Sequence, residues 1–359
     1  MMACQGDGQF EIWRTNVRKA VLDAVDEFVT DRCAVDLRGA GVGIAADVLV
    51  GFVDGGKCLR STFMFLGWLC GEEPSNAAID GSASLELLHT FALLQDDVMD
   101  SSPLRRGHPS AHVQFSRWHR ERGLSGSPER FGESAAVLLG DLCLVWAEQM
   151  LRNSGVDAAA LARAWPRYDE MRTELALGQF ADIVNDVDGL PTLDAVLEVA
   201  RRKSGNYTVR RPLEIGAAMA GCGDSVLAQL GGYGEAVGEA FQLRDDLLGL
   251  FGSPAITGKP VGADLTEHKA TSVVVAAHHM ADSTLRRQLT ELMSTAELDD
   301  ADVGRWRSLI ASTGAVQRIE EMIADRLHRA SEWIDAVRLD EAVRSALLNM
   351  ASVCTQRAA

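Results

Sequence analysis

Apolar residues return every three or four positions along most of this 359-residue chain, as in Leu85, Leu88, Ala92 and in Leu309, Val316, Ile319, Ile323, Leu327, Ile334. That period fits one face of an α-helix, and no sustained period-two alternation bounded by hairpin turns competes with it. The Val273 to Val275 run leads straight into an Ala-rich stretch that continues as helix. Aromatics make up 6% of the residues and there are nine prolines, so little interrupts such helices. The expectation is an all-α protein.

Helix ends are marked by Gly39 to Gly43, Gly71 to Ser75, Ser101 to Pro109, Gly123 to Pro128, Asn153 to Asp157, Asp188 to Pro191, Gly221 to Asp224, Gly252 to Gly262 and Leu298 to Asp302. These breaks leave roughly ten to twelve helices. None reads as an interdomain linker and no fixed repeat occurs. The expectation is therefore one helical domain over 1–359, with irregular tails at about 1–12 and 355–359. The segment 101–132, rich in Arg, Gly, Pro, Ser and His, has the least helical pattern and is expected to be a mobile flap.

Charge narrows the function. The net charge of −16 argues against nonspecific nucleic-acid binding, which needs a basic face. Only five of the 35 cations are lysines: Lys19, Lys57, Lys203, Lys259 and Lys269. The seven cysteines are scattered and form no C-x-x-C pair, which fits reduced, mostly buried thiols in a cytoplasmic protein. The longest apolar stretch, Phe63 to Cys70, is far short of the ~20 residues that span a bilayer, so no membrane span and no leader are expected.

The sharpest chemical feature is the apolar run from Leu85 to Gln95 that passes directly into Asp96-Asp97-Val98-Met99-Asp100. On a helix Asp96 and Asp100 share a face, and His89 lies on the same side. Acids at a helix C-terminus oppose its dipole, and charges this close repel by roughly 3 kcal/mol per pair at an effective dielectric near 20. If this helix end is buried rather than a solvated acidic turn, a cation is needed there, and hard carboxylate oxygens suit Mg²⁺, which also accepts substrate phosphates. Arg105 and Arg106 follow, and Gly55-Gly56-Lys57-Cys58-Leu59-Arg60 lies upstream. Guanidinium forks and a glycine turn exposing N–H groups are what a phosphate requires. A second acidic pair, Asp245-Asp246, shares a helix face with Gln242 and Gly249, with Lys259 and Lys269 downstream and Lys203-Ser204 before it.

In this order the residues resemble the trans-isoprenyl diphosphate synthase (polyprenyl synthetase) family over about residues 50 to 270. The segment Asp96 to Gly107 is similar to its DDxxD motif followed by RRG, and Gly55 to Arg60 to its GGKxxR. Gly178-Gln179 with Asp182 is similar to GQxxD, Lys203-Ser204 to K[TS], and Phe241 to Asp246 to the second aspartate-rich motif. The resemblance implies a bundle of antiparallel helices around a deep central cavity, with the acidic motifs facing each other across its mouth. It implies about three Mg²⁺ held by Asp96, Asp100 and Asp245, with Asp97 and Asp246 in support. Arg105, Gln179, Lys203, Ser204, Gln242, Lys259 and Lys269 would meet the allylic diphosphate. Gly56, Lys57, Arg60, His89 and Arg106 would form a metal-free pocket for isopentenyl diphosphate. The resemblance implies Asp96, Asp97, Asp100, Lys203, Gln242 and Asp245 as the catalytic residues. A homodimer is implied as well.

Ionisation of the allylic diphosphate needs electrostatic stabilisation of the leaving group rather than a side-chain base. Product length is implied by Phe91 and Ala92, five and four positions before the first Asp, in the pattern of short-chain geranylgeranyl (C20) synthases, with C15 and C25 open. A class I terpene cyclase would not need Lys57, Arg60, His89 and Arg106 together, and a noncatalytic subunit would not need intact Asp96, Asp97, Asp100 and Asp245. Several positions depart from the family pattern: Ser61 for Pro, Gln95 for His, Gly249 for the third Asp of the second motif, Ser253 for Asp and His268 for Gly. The last two bear on the segment expected to close on the diphosphate. Gly41 to Ala46 mimics a dinucleotide fingerprint without a preceding strand, and Asp299 to Asp302 reads as a helix cap. His278 and His279, being adjacent, point to different faces.

Overall fold

The computed structural model describes residues 7–185, 190–253, 261–295 and 297–356, and by their contacts they divide into two compact units. One unit comprises residues 1–165 with 215–222, the other 166–214 with 223–359. The first division falls at Pro166, a proline inside a helix. Apart from a hairpin of two-residue strands, β1 (Leu104–Arg105) and β2 (His108–Pro109), the regular structure among the described residues is helical.

In the first unit α1 (Asp7–Arg32) runs on as π-helical turns to Arg38, followed by α2 (Gly43–Val53), α3 (Leu59–Leu69) and α4 (Asn76–Met99). After the hairpin come α5 (Ala111–Glu121) and α6 (Pro128–Arg152). Ser75 and Ser127 cap α4 and α6 by accepting from Ala78 and Arg130 N–H groups, as short polar side chains at helix starts do. Helix α4 packs against α1, α3 and α6, burying Leu85, Leu87, Leu88 and Leu94 completely. Each such side chain contributes roughly 1.5–3 kcal/mol, which fixes the rotation of α4 and so the direction of His89 and Asp96. Helix α6 is long and apolar enough to cross a membrane by length and composition, a pattern the eight-residue window around Phe63 did not reveal. Here it packs against α4 and α5. The segment expected as a flap contains the hairpin and α5.

Helix α7 (Ala158–Asn185) begins in the first unit and continues in the second. Then α8 (Leu193–Ala200), π-helical turns over Arg201–Arg210 and α9 (Arg211–Met219) form one continuous rod. There follow α10 (Asp224–Phe251), α11 (Ala263–Thr266), α12 (Ser272–Met280), α13 (Ser283–Met293), α14 (Asp300–Ser312), α15 (Ala315–Asp335) and α16 (Glu341–Thr355). Leu243, Leu247 and Leu250 of α10 meet Val273, Trp306, Ile310, Ile319 and Ile323 in the core of the second unit. The described segments exceed ten to twelve because short C-terminal helices break at Asp282, Gly314 and Asp340. These are ordinary caps, two aspartates and a left-handed glycine at φ 83°.

Gly216 on α9 lies flush against α3, where a Cβ would overlap the Met64 carbonyl oxygen. Gly216→Ala should cost about 1–3 kcal/mol, read as a lowered urea midpoint, because backbone on both sides must move. An unchanged midpoint would show that the two helices are not held at this distance.

Candidate active site

The first unit gathers a basic pocket. Gly55 and Gly56 take φ values of +86° and +90°, and Cys58, capping α3, is left-handed at +48°. Successive residues in such turn conformations can form an anion-binding nest of backbone N–H groups. Arg106, itself left-handed, lays its guanidinium over Gly56, where a Cβ would come 3.3 Å from Nη2, and donates from Nη1 to the Asp54 carbonyl at 3.4 Å. The His89 imidazole is held well below its ordinary value, first by burial and then by the charges of Arg60, Arg106 and Arg105. Burial and these neighbouring charges both disfavour its protonated form. Lys57 is exposed at the loop tip and Arg60 is half-buried in the first turn of α3. Ser61, where the family has Pro, donates to Glu86 at 2.7 Å and so ties α3 to α4.

Seven residues beyond His89 the acidic turn closes α4. Arg105 donates from Nε to Asp97 at 2.8 Å and from Nη2 to Asp96 at 3.2 Å, with a further short bond from Nη2 to Asp97. Asp97 is 1% exposed, whereas Asp96 and Asp100 are half-buried on the more open side. Burial raises the Asp97 carboxyl above its ordinary range, with Arg105 offsetting only part of it. Asp97 therefore holds Arg105, while Asp96 and Asp100 are half-buried beside it, Asp96 with its Oδ2 on Arg105 and its Oδ1 buried. Gln95 donates to Asp141 at 3.2 Å and docks against α6 at Gly140. Phe91 and Ala92 are half-buried, one turn before the acids.

The second unit carries the other motifs. Gly178 packs against the Lys203 backbone, and Gly205 against Gly238, so α7, the π-helical turns and α10 approach closely through glycines. Within this contact Lys203 donates from Nζ to Asp182 at 2.5 Å. Gln179 and Ser204 are half-buried nearby in sequence, and the Gln179 Nε2 is buried with no hydrogen-bond partner among the described residues. Gln242 donates to Asp246 at 2.8 Å. Asp246 also accepts from the Ser272 N–H at 2.9 Å and its hydroxyl at 2.5 Å, which anchors it to the start of α12. Burial raises its carboxyl to about 6 against these bonds. Asp245, the neighbouring residue, is half-buried.

Two departures have physical explanations. A Cβ at Gly249 would overlap the Asp264 carboxylate, so an acid from α11 occupies the space a third motif side chain would take. His268 adopts φ +54°, the conformation glycine takes easily, and its ring lies 6.2 Å from Trp306. Lys269 pairs with Glu267 at 2.9 Å, while Lys259 lies outside the described residues. Asp299 caps α14 as read, accepting from the Asp302 N–H at 2.8 Å; His278 is buried and His279 exposed.

Among the described residues no three His, Cys, Asp or Glu side chains converge into a metal cage. The acidic end of α4 nevertheless fits Mg²⁺: it crowds carboxylates, and the Asp97 Oδ2 is buried without a hydrogen-bond partner among the described residues. Mg²⁺ is ordinarily held by one or two carboxylates, with waters and phosphate oxygens completing its shell.

A family model described as polyprenyl synthetase matches residues 44–310. The chain is 32% identical over 301 residues to geranylfarnesyl diphosphate synthase of Aeropyrum pernix, covering 82% of this chain and 88% of that one. It is 33% identical over 280 residues to (2E,6E)-farnesyl diphosphate synthase of Mycobacterium tuberculosis, covering 74% and 73%. A geranylgeranyl pyrophosphate synthase from Corynebacterium glutamicum, solved with isoprenyl diphosphate and magnesium, superposes with a TM-score of 0.90 at 35% identity, covering 95% and 99%.

Proposed function

The chain belongs to the polyprenyl synthetase family and is a prenyltransferase, and from that premise we propose that it joins isopentenyl diphosphate to an allylic diphosphate, yielding linear all-trans geranylgeranyl diphosphate. The observation that carries this reading is the pairing of two environments in the first unit: Arg106 over the left-handed Gly55–Gly56 turn, and the acidic end of α4 with Arg105 on Asp96 and Asp97. The two environments suit two diphosphates of opposite fate. Bare cations hold the diphosphate that stays attached, and carboxylates recruit metal for the one that leaves.

Asp96, Asp100 and Asp245 would hold Mg²⁺, an ion the Corynebacterium relative was solved with. When bound, Mg²⁺ neutralises charge developing on the departing diphosphate. Arg105 stays oriented by Asp97 and offers its remaining N–H groups to phosphate oxygens. Lys203 is positioned by Asp182 and adds a point charge. The hydroxyl of Ser204 and the amides of Gln179 and Gln242 are dipoles that stabilise an allylic cation without trapping it. In its neutral form His89 donates or accepts a hydrogen bond without drawing in a counter-ion.

Purified protein with Mg²⁺, isopentenyl diphosphate and separate C5, C10 and C15 allylic primers tests the reading. Linear elongation is expected, and a cyclic hydrocarbon formed without consuming isopentenyl diphosphate would overturn it. The relatives above carry three different product names, so chain length rests on Phe91, one turn below Asp96. Phe91→Ala should shift the product to C25 and beyond, measured by mass spectrometry of the dephosphorylated alcohols. A product distribution unchanged in that variant would remove Phe91 as the floor.

A further inference from the structure

Arg18 lies on α1, outside the segment that the family model matches, and 38 residues before the glycine loop. Its Nε donates to the Gly56 carbonyl at 2.8 Å. The loop has four residues, Gly55 to Cys58, of which three are left-handed. Such a backbone is easily deformed, because two of them are glycines. Two guanidiniums from separate elements hold carbonyls of the loop and of the residue before it: Arg18 from α1 at Gly56, and Arg106 from the hairpin at Asp54. Both charges are felt at the buried Cys58 thiol, where they oppose the upward push of burial and of Glu86.

A trans peptide is planar, with its C=O and the following N–H on opposite sides. Drawing the Gly56 carbonyl toward α1 therefore turns the Lys57 N–H away from α1. We infer that Arg18 is a positioning residue for the isopentenyl diphosphate pocket, fixing the Gly56–Lys57 peptide so that the loop presents Lys57 and its N–H to the anion. This rests on the pocket assigned above. Arg18 acts through the loop and is not itself placed against the substrate.

Three variants separate positioning from charge and from simple stapling. Arg18→Ala removes both the donor and the charge. Arg18→Lys keeps the charge. Arg18→Gln is the informative one, because its amide nitrogen stands the same number of bonds from Cα as the arginine Nε, so it keeps the donor without the charge. Arg18→Ala should raise KM for isopentenyl diphosphate about tenfold, with kcat and the allylic KM within about twofold of wild type. Arg18→Gln should recover most of that loss. Calorimetric titration of isopentenyl diphosphate into metal-free protein should show the same order of affinities, independently of turnover.

An unchanged KM in Arg18→Ala overturns the inference, as does a parallel change in both KM values, kcat and thermal midpoint, which marks a structural staple. Arg18→Gln as impaired as Arg18→Ala, with Arg18→Lys restored, would make Arg18 a charge rather than a positioning group. Wild-type protein that neither binds nor consumes isopentenyl diphosphate would instead sink the pocket assignment itself.

Discussion

Asp96→Ala should lower turnover by about three orders of magnitude while leaving the thermal midpoint within a few degrees of wild type. The two halves of this expectation have separate causes. The rate falls because departure of a diphosphate needs its charge neutralised at the moment the bond breaks, and Asp96 is a half-buried carboxylate at the α4 terminus. Stability holds because Arg105 keeps its stronger partner, Asp97, through the 2.8 Å bond and its short companion, and loses only the 3.2 Å bond to Asp96. Removing one of three acids at a helix C-terminus also relieves repulsion and an unfavourable dipole interaction. Asp97→Ala is the contrasting control: it strips the half-buried Arg105 guanidinium of its main partner, so stability and rate should fall together. Steady-state kinetics across a Mg²⁺ titration, with a melting curve for each variant, checks both. Turnover within tenfold of wild type in Asp96→Ala would remove Asp96 from the metal set.

Helices were legible because their signal is local. The apolar period of α4 and the Ser75, Thr192, Thr271 and Asp299 caps lie within a few residues of what they determine. The acidic motifs were legible as acids but not as partners. That Asp97 turns inward to Arg105, and Asp246 to the start of α12, depends on helix rotation set by packing. The π-helical turns bearing Lys203 follow from a close approach in which Gly178 meets Lys203 and Gly205 meets Gly238. Each glycine is visible in the sequence, whereas the pairing is not. Gly249 looked like a lost carboxylate, and only the position of Asp264 shows the space filled from another element. Arg18 gave no signal at all, because one arginine among many on a surface helix is unremarkable until its carbonyl partner is known.

Arg211→Ala should cost about 3–5 kcal/mol and lower the melting temperature by on the order of 10 °C. Arg211 is 5% exposed and uses every guanidinium nitrogen: Nη2 to Glu170 and Glu174 at 2.7 Å, Nε to Glu174 at 2.9 Å, and Nη1 to Glu214 at 2.7 Å. Arg210 extends the network to Glu214 and Glu235, and Arg201 and Arg326 meet at Glu239. These pairs clamp the π-helical turns between α7 and α10, so they also hold Lys203 in place. Deleting the central cation leaves the half-buried Glu174 and the 7%-exposed Glu214 side chain each short of a partner, and that uncompensated charge, more than the lost attraction, sets the cost. Arg211→Met combined with Glu174→Gln and Glu214→Gln should therefore recover most of the stability, since Arg210 keeps Glu235. Acid separates the explanations further. Burial alone would raise the Glu174 carboxyl above its ordinary 4.5, but the Arg211 hydrogen bonds and charge outweigh it and hold the group lower. A depressed folded value means stability that is present above the unfolded value and lost as pH falls through the folded one. The gap between wild type and Arg211→Ala should thus narrow as the solution is acidified below about 4.5. A gap that stays constant with pH would mean that Arg211 acts through packing of its aliphatic stem and not through these carboxylates.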